Sequence, residues 1–137
     1  MSPFTFLVIE DDDVDFMSVQ RAFKRIGIAN PIKRAVDGVE ALELLRDPAN
    51  KGIFGDKLII LLDLNMPRMS GHEFLDAYSI SKNVPVANIF VMTTSDSDQD
   101  IIDAHRHDIA GYLLKSDLIE SLREALDGLR HKWVLVA

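Results

Sequence analysis

Leu58-Ile59-Ile60-Leu61-Leu62-Asp63 is a run of five aliphatic residues closed by a carboxylate. A short, continuous apolar run of this kind reads as a strand buried on both faces, the condition of strands inside a parallel sheet. Residues 4–9, 89–92 and 112–114 have the same character, and residues 32–36 have it more weakly. Between these runs the apolar residues recur every three or four positions. Phe16, Val19, Phe23 and Ile26 form one such stripe, and Val39, Leu42 and Leu45 a second. Phe74, Leu75 and Tyr78 form a third; Leu118, Leu122, Ala125, Leu126 and Leu129 form the longest. Strand and helix thus alternate five times, which predicts an α/β fold: an open, doubly wound, five-stranded parallel sheet with helices on both faces. Gly27, Asp37-Gly38 and the segments 67–71 and 81–85 punctuate the elements, and 48–55 reads as a polar connection. The helix expected at 99–107 offers only Ile101, Ile102 and Ala104 to a core. It is either a weakly anchored moving part or a polar surface helix.

The chain has 137 residues, the size of one domain, with 47% hydrophobic and 27% charged residues, a soluble globular balance. It has no cysteine, which excludes disulfides, thiolate metal sites and cysteine nucleophiles. The start, Met1-Ser2-Pro3-Phe4, has no signal-peptide pattern, and no apolar run approaches the roughly 20 residues that span a bilayer. A cytoplasmic protein without membrane contact is expected. The net charge of -7 argues against gripping nucleic acid by its phosphates.

Asp63 closes a wholly apolar strand, and in open α/β sheets ligands sit beyond the carboxyl ends of the strands. In a parallel sheet that edge also receives Glu10-Asp11-Asp12-Asp13 after the first strand. Thr93 and Thr94 reach it after the fourth, and Lys115 after the fifth. Two like charges about 4 Å apart repel by about 4 kcal/mol at an effective dielectric of about 20, so clustered acids need a compensating cause. One cause is capping of the first helix, whose N-terminus favours carboxylates. The other is a hard cation: converging carboxylates and a carbonyl suit Mg²⁺. A carboxylate can then attack an activated phosphorus and form an acyl phosphate. A lysine and a hydroxyl would meet the phosphoryl oxygens.

These residues resemble a known family, the receiver domain of two-component response regulators, of the CheY type. Glu10-Asp11 is similar to its acidic pair and Asp37-Gly38 to the start of its second helix. Residues 63–71, Asp-Leu-Asn-Met-Pro-Arg-Met-Ser-Gly, are similar to its phosphoacceptor loop. Thr93 stands 30 residues beyond Asp63 and Lys115 stands 52 beyond it, both family spacings, and Tyr112 falls at the switching aromatic. Two departures are Glu10, where many members have Asp, and Ser116, where Pro is common after the lysine.

The resemblance implies a flavodoxin-like, CheY-like sheet of strand order 2-1-3-4-5, with the receiver domain over 1–132. It implies phosphoryl transfer to Asp63 from a sensor histidine kinase or phosphotransfer protein, with Mg²⁺ held by Glu10, Asp11, Asp63 and the Asn65 carbonyl. It turns Thr93 toward the phosphoryl group, pairs Lys115 with a phosphoryl oxygen or with the acidic pocket, makes Thr93 and Tyr112 the switch, and lets Asn65 and Ser95 tune the phosphate lifetime. The product is a signalling switch rather than an enzyme, read by a downstream protein target.

The apolar tail 133–137 either folds back on the domain or pairs with a second copy, and the reading leans toward a homodimer, as in similar phytochrome-associated regulators. His72, His105, His107 and His131 show no metal spacing and read as surface residues. Three other readings compete. A haloacid-dehalogenase-type phosphatase would need a second acid where Asn65 stands. A flavodoxin-like FMN binder would need a small polar loop where the four acids stand. The third is a degenerate receiver that only binds.

Overall fold

The computed structural model describes residues 4–54, 57–64, 66, 68–82, 84–94 and 109–129. All residues of β1 (Thr5–Ile9) and β3 (Leu58–Asp63) are buried, as their apolar runs 6–9 and 58–62 demand, and the flanking Thr5 and Asp63 are buried with them. They form the middle of a five-stranded sheet with β2 (Ile32–Ala35), β4 (Ala87–Thr93) and β5 (Gly111–Leu114). The order is β2-β1-β3-β4-β5 and every pairing is parallel. This is the expected CheY-like arrangement.

Alternate strand residues feed two cores. Leu7, Ile9, Ile60 and Leu62 pack with Leu42 and Leu45 of α2 (Gly38–Arg46) and with Phe74 and Leu75. Phe6, Val8, Ile59 and Leu61 pack on the other face with Val19 and Phe23 of α1 (Asp13–Ile26) and with Leu122 and Leu126. Burying a side chain of this size contributes about 1.5–3 kcal/mol, so the two layers fix the sheet from both sides.

The helix ends are set by local chemistry. Asp12 caps α1 by accepting from the Val14 and Asp15 N–H groups. At the far end Gly27 takes φ 87°, open to a residue without Cβ, and the Ile28 N–H donates to the Phe23 carbonyl at 2.9 Å. Asp37 caps α2.

Of the segment read as a polar connection, 48–55, the described residues 48–54 are instead helical. Asp47 accepts from the Ala49 N–H to start a 3₁₀ turn at Pro48–Asn50, which runs into the short helix α3 (Lys51–Phe54). Its last residue, Phe54, is buried in the same core as Leu58, although the adjacent pair Ile53-Phe54 gives no periodic signal. Thr93 is likewise the last residue of β4 rather than a loop residue beyond it, and β2 stops one residue early, leaving Val36 exposed. α4 (Gly71–Ile80) carries a capping box between Ser70 and Glu73. A 3₁₀ turn at Lys115–Asp117 leads into α5 (Leu118–Asp127). The helix expected at 99–107, Ser95, Asn65 and the tail 133–137 lie outside the described residues.

Candidate functional site

Strand register brings the expected residues to one edge. Ile9 pairs with Leu62, Asp63 with Met92, and Thr93 with Leu114, so Glu10, Asp63, Thr93 and Lys115 leave the sheet side by side. Asp63 and Thr93 are buried at their strand ends, and Glu10 is fully buried. Tyr112, one strand further out, is 45% exposed.

The four consecutive acids divide into separate tasks. Glu10 points inward, and its Oε1 accepts from the Asp12 N–H at 3.2 Å. Asp12 caps α1, and Asp13 pairs with Arg34 at 2.8 Å. Asp11 joins Glu10 and Asp63, whose carboxylate oxygens lie within 4.8 Å of one another. Capping of α1 and the carboxylate cluster therefore fall to different residues of the acidic run.

Arg34 of β2 was not singled out from the sequence. Its Nε donates to the Glu10 carbonyl at 3.1 Å and a terminal nitrogen donates to the Asp11 carbonyl at 3.3 Å. The guanidinium also stacks on Phe16, 4.7 Å from the ring centre. It pins the backbone of the turn that carries the acidic pair.

Lys115 supplies the counter-charge. Its Nζ lies 2.8 Å from Glu10 Oε2, 2.9 Å from Asp15 Oδ2 and 3.5 Å from Asp63 Oδ2. Glu10 Oε2 is buried and meets the lysine as an ion pair, with no aligned hydrogen bond. The backbone just before the lysine is tied to α5, where the Ser121 hydroxyl accepts from the Leu114 N–H at 3.2 Å. Asp15 also escaped the sequence reading, because it follows the acidic run after Val14; its place in the first turn of α1 was the available signal.

Burial raises the Glu10 pKa to about 7, and the charge of Asp63 adds to the rise; the lysine contacts and the Asp12 N–H offset only part of it. Burial alone would lower the Lys115 pKa. Its close contact with Glu10, its hydrogen bond to Asp15 and the charge of Asp63 carry it above the ordinary lysine value. Without another cation, the site holds more negative charge than one ammonium neutralises.

A second ion pair braces the loop after β3. Arg68 donates to Asp37 from Nε at 2.7 Å and from a terminal nitrogen at 3.1 Å. The loop also lies against α2, where a Cβ on Gly38 would stand 2.7 Å from Met69 Sδ. At the other end a Cβ on Gly71 would meet the Leu64 Cα at 2.6 Å and the Asp63 carbonyl at 2.7 Å. Glycine there lets α4 start against the end of β3, and the Gly71 N–H donates to the Leu64 carbonyl at 2.9 Å.

Converging carboxylates, a lysine and a hydroxyl at the carboxyl edge of a 2-1-3-4-5 sheet define a CheY-like switch domain. The chain belongs to the response regulator receiver domain family, whose model matches residues 6–127. It is 33% identical over 132 residues to the probable methanogenesis regulatory protein FilR2 of Methanothrix harundinacea, covering 96% of this chain and 84% of that protein. It is 27% identical to the response regulator Rcp1 of Synechocystis, over 96% of this chain and 90% of the relative. The structure of the Mn(2+)-bound form of Rcp1 is similar with a TM-score of 0.70 at 26% identity, over 98% of this chain and 100% of that one. The bacteriophytochrome response regulator AtBRR shares the fold, with a TM-score of 0.80 at 24% identity over 99% of both chains. Among the described residues no helix is long and apolar enough to cross a membrane.

Proposed function

We propose that this chain accepts a phosphoryl group on Asp63 from a phosphohistidine of a sensor histidine kinase or phosphotransfer protein, in a Mg²⁺-dependent reaction. The observation that carries the reading is the convergence of Glu10, Asp11 and Asp63 within 4.8 Å, with Lys115 Nζ 3.5 Å from the Asp63 carboxylate.

The donor set fits the ion. Mg²⁺ is hard and prefers oxygen, and three carboxylates with one lysine leave negative charge for it to neutralise. Glu10, Asp11 and Asp63 would hold it, with the Asn65 carbonyl as a further ligand. That Rcp1 has a Mn(2+)-bound form supports a divalent site in a relative of this chain. When bound, the ion neutralises the oxygens of the transferring phosphoryl group.

The transfer needs few other parts. An Asp63 oxygen attacks phosphorus, an O–P bond forms, and the N–P bond to the donor imidazole breaks, its electron pair staying on nitrogen. Burial of Asp63 excludes water from the attacking oxygen. Lys115, 3.5 Å from Asp63, would take a phosphoryl oxygen, and Thr93, ending the neighbouring strand, would hydrogen-bond another. Tyr112, now exposed on the next strand, is the residue whose inward turn would carry the change to a downstream protein target.

Intact-mass measurement after incubation with acetyl phosphate and Mg²⁺ tests this. One added phosphoryl group is expected, absent in Asp63→Asn and absent with chelator. Equal labelling of the Asp63→Asn chain would refute the assignment.

A further inference from the structure

An ammonium has three N–H donors, and Lys115 Nζ has three carboxylates around it, from three different elements. Glu10 lies beyond β1 at 2.8 Å, Asp15 in the first turn of α1 at 2.9 Å, and Asp63 at the end of β3 at 3.5 Å. The two short contacts are to residues other than Asp63. Asp15 is outside the Glu10, Asp11, Asp63 group, so a cation held there leaves the Asp15 pairing intact. Its position is fixed, because its own N–H donates to the capping carboxylate of Asp12 at 3.2 Å. Its side chain is 41% exposed against 8% for Asp63, so it draws the ammonium toward solvent.

We propose that Asp15 is a positioning residue that parks Lys115 away from Asp63, so that phosphoryl acceptance requires the lysine to give up the Asp15 carboxylate. This rests on the reading of Asp63 as phosphoacceptor. Before transfer, Asp15 competes with the incoming phosphoryl oxygen for the same N–H donor. Removing its charge frees the donor and speeds the transfer.

The test is the rate constant for labelling by acetyl phosphate with saturating Mg²⁺, followed by intact mass. Asp15→Asn and Asp15→Ser are expected to label about two- to fivefold faster than the parent, the range for a half-exposed ion pair. Asp13→Asn removes the same charge from the same turn without touching Lys115 and should stay within about twofold of the parent. In a Lys115→Met chain, adding Asp15→Asn should change nothing. A merely electrostatic effect on the anionic donor would accelerate labelling there as well, and that result overturns the proposal. So does an Asp15→Asn rate equal to or below the parent's. A parent chain that takes no phosphoryl group on Asp63 overturns both this inference and the reading beneath it. A labelled parent with an unaccelerated Asp15→Asn chain overturns this inference alone.

Discussion

Lys115 Nζ sits 2.8 Å from the fully buried Glu10 carboxylate, and this contact is the main local compensation for an acid that burial otherwise disfavours. Removing one partner of a buried pair leaves the other uncompensated, at about 3–5 kcal/mol when it cannot relax. Glu10 can relax by taking a proton. Lys115→Ala should therefore destabilise the metal-free chain by only about 2 kcal/mol at neutral pH. Chemical denaturation of the two chains checks the value; an unchanged midpoint would contradict the buried pairing.

At the proposed Mg²⁺ site, the raised Glu10 pKa would make cation binding pH-dependent. The folded chain holds this proton up to about pH 7, whereas the unfolded chain releases it near 4.5. The folded state thus binds more protons between those values, so this group's contribution to metal-free stability falls as pH rises from 4.5 to 7 and is constant above. A carboxylate ligand must be ionised, so Mg²⁺ affinity should climb about tenfold per pH unit below 7 and level off above it. Calorimetric titration across that window checks the slope, which Glu10→Gln should remove.

The Arg68–Asp37 pair has the opposite sign. The hydrogen bond from Arg68, the strongest influence, lowers the Asp37 pKa below its ordinary 3.8. Its stabilisation is present above that value and is lost as pH falls through the lower, folded pKa. Arg68→Ala should leave the fold intact at neutral pH yet raise the pH of acid unfolding, measured by circular dichroism. An acid midpoint unmoved by the substitution would show that the pair contributes nothing.

Gly71 is a steric requirement of the site. An added methyl would meet backbone at 2.6 Å and 2.7 Å, and backbone cannot swing aside as a side chain can. Gly71→Ala should cost about 1–3 kcal/mol and slow labelling of Asp63, because the displaced carbonyl is Asp63's own. A chain with parent stability and rate would show that the loop accommodates the methyl freely.

The sheet was legible because parallel strands buried on both faces write themselves as nearly continuous apolar runs, broken in β1 and β3 only by Thr5 at the start of one and Asp63 at the end of the other. The edge that gathers Glu10, Asp63, Thr93 and Lys115 follows from that alternation alone. Other features left no such trace. Phe54 stands beside an exposed Ile53 with no apolar period around the pair, and it enters the core at the end of the helix that follows the Asp47-capped turn. Arg34, Asp15 and the Arg68–Asp37 pair act across 21 to 100 positions of chain, and a charged residue carries no periodic signal of its distant partner. Asp37 was read correctly as a helix start, but the tertiary contact made by its second oxygen was not visible.

The central claim concerns one bond, between an Asp63 oxygen and phosphorus, and one measurement addresses it directly. Acyl phosphates are reduced by borohydride to the alcohol, so treating the chain after acetyl phosphate and Mg²⁺ and then mapping its peptides by mass marks the modified residue. The account predicts homoserine in place of Asp63, with Glu10 and Asp11 unchanged. Reduction at any other carboxylate while Asp63 stays intact would contradict it.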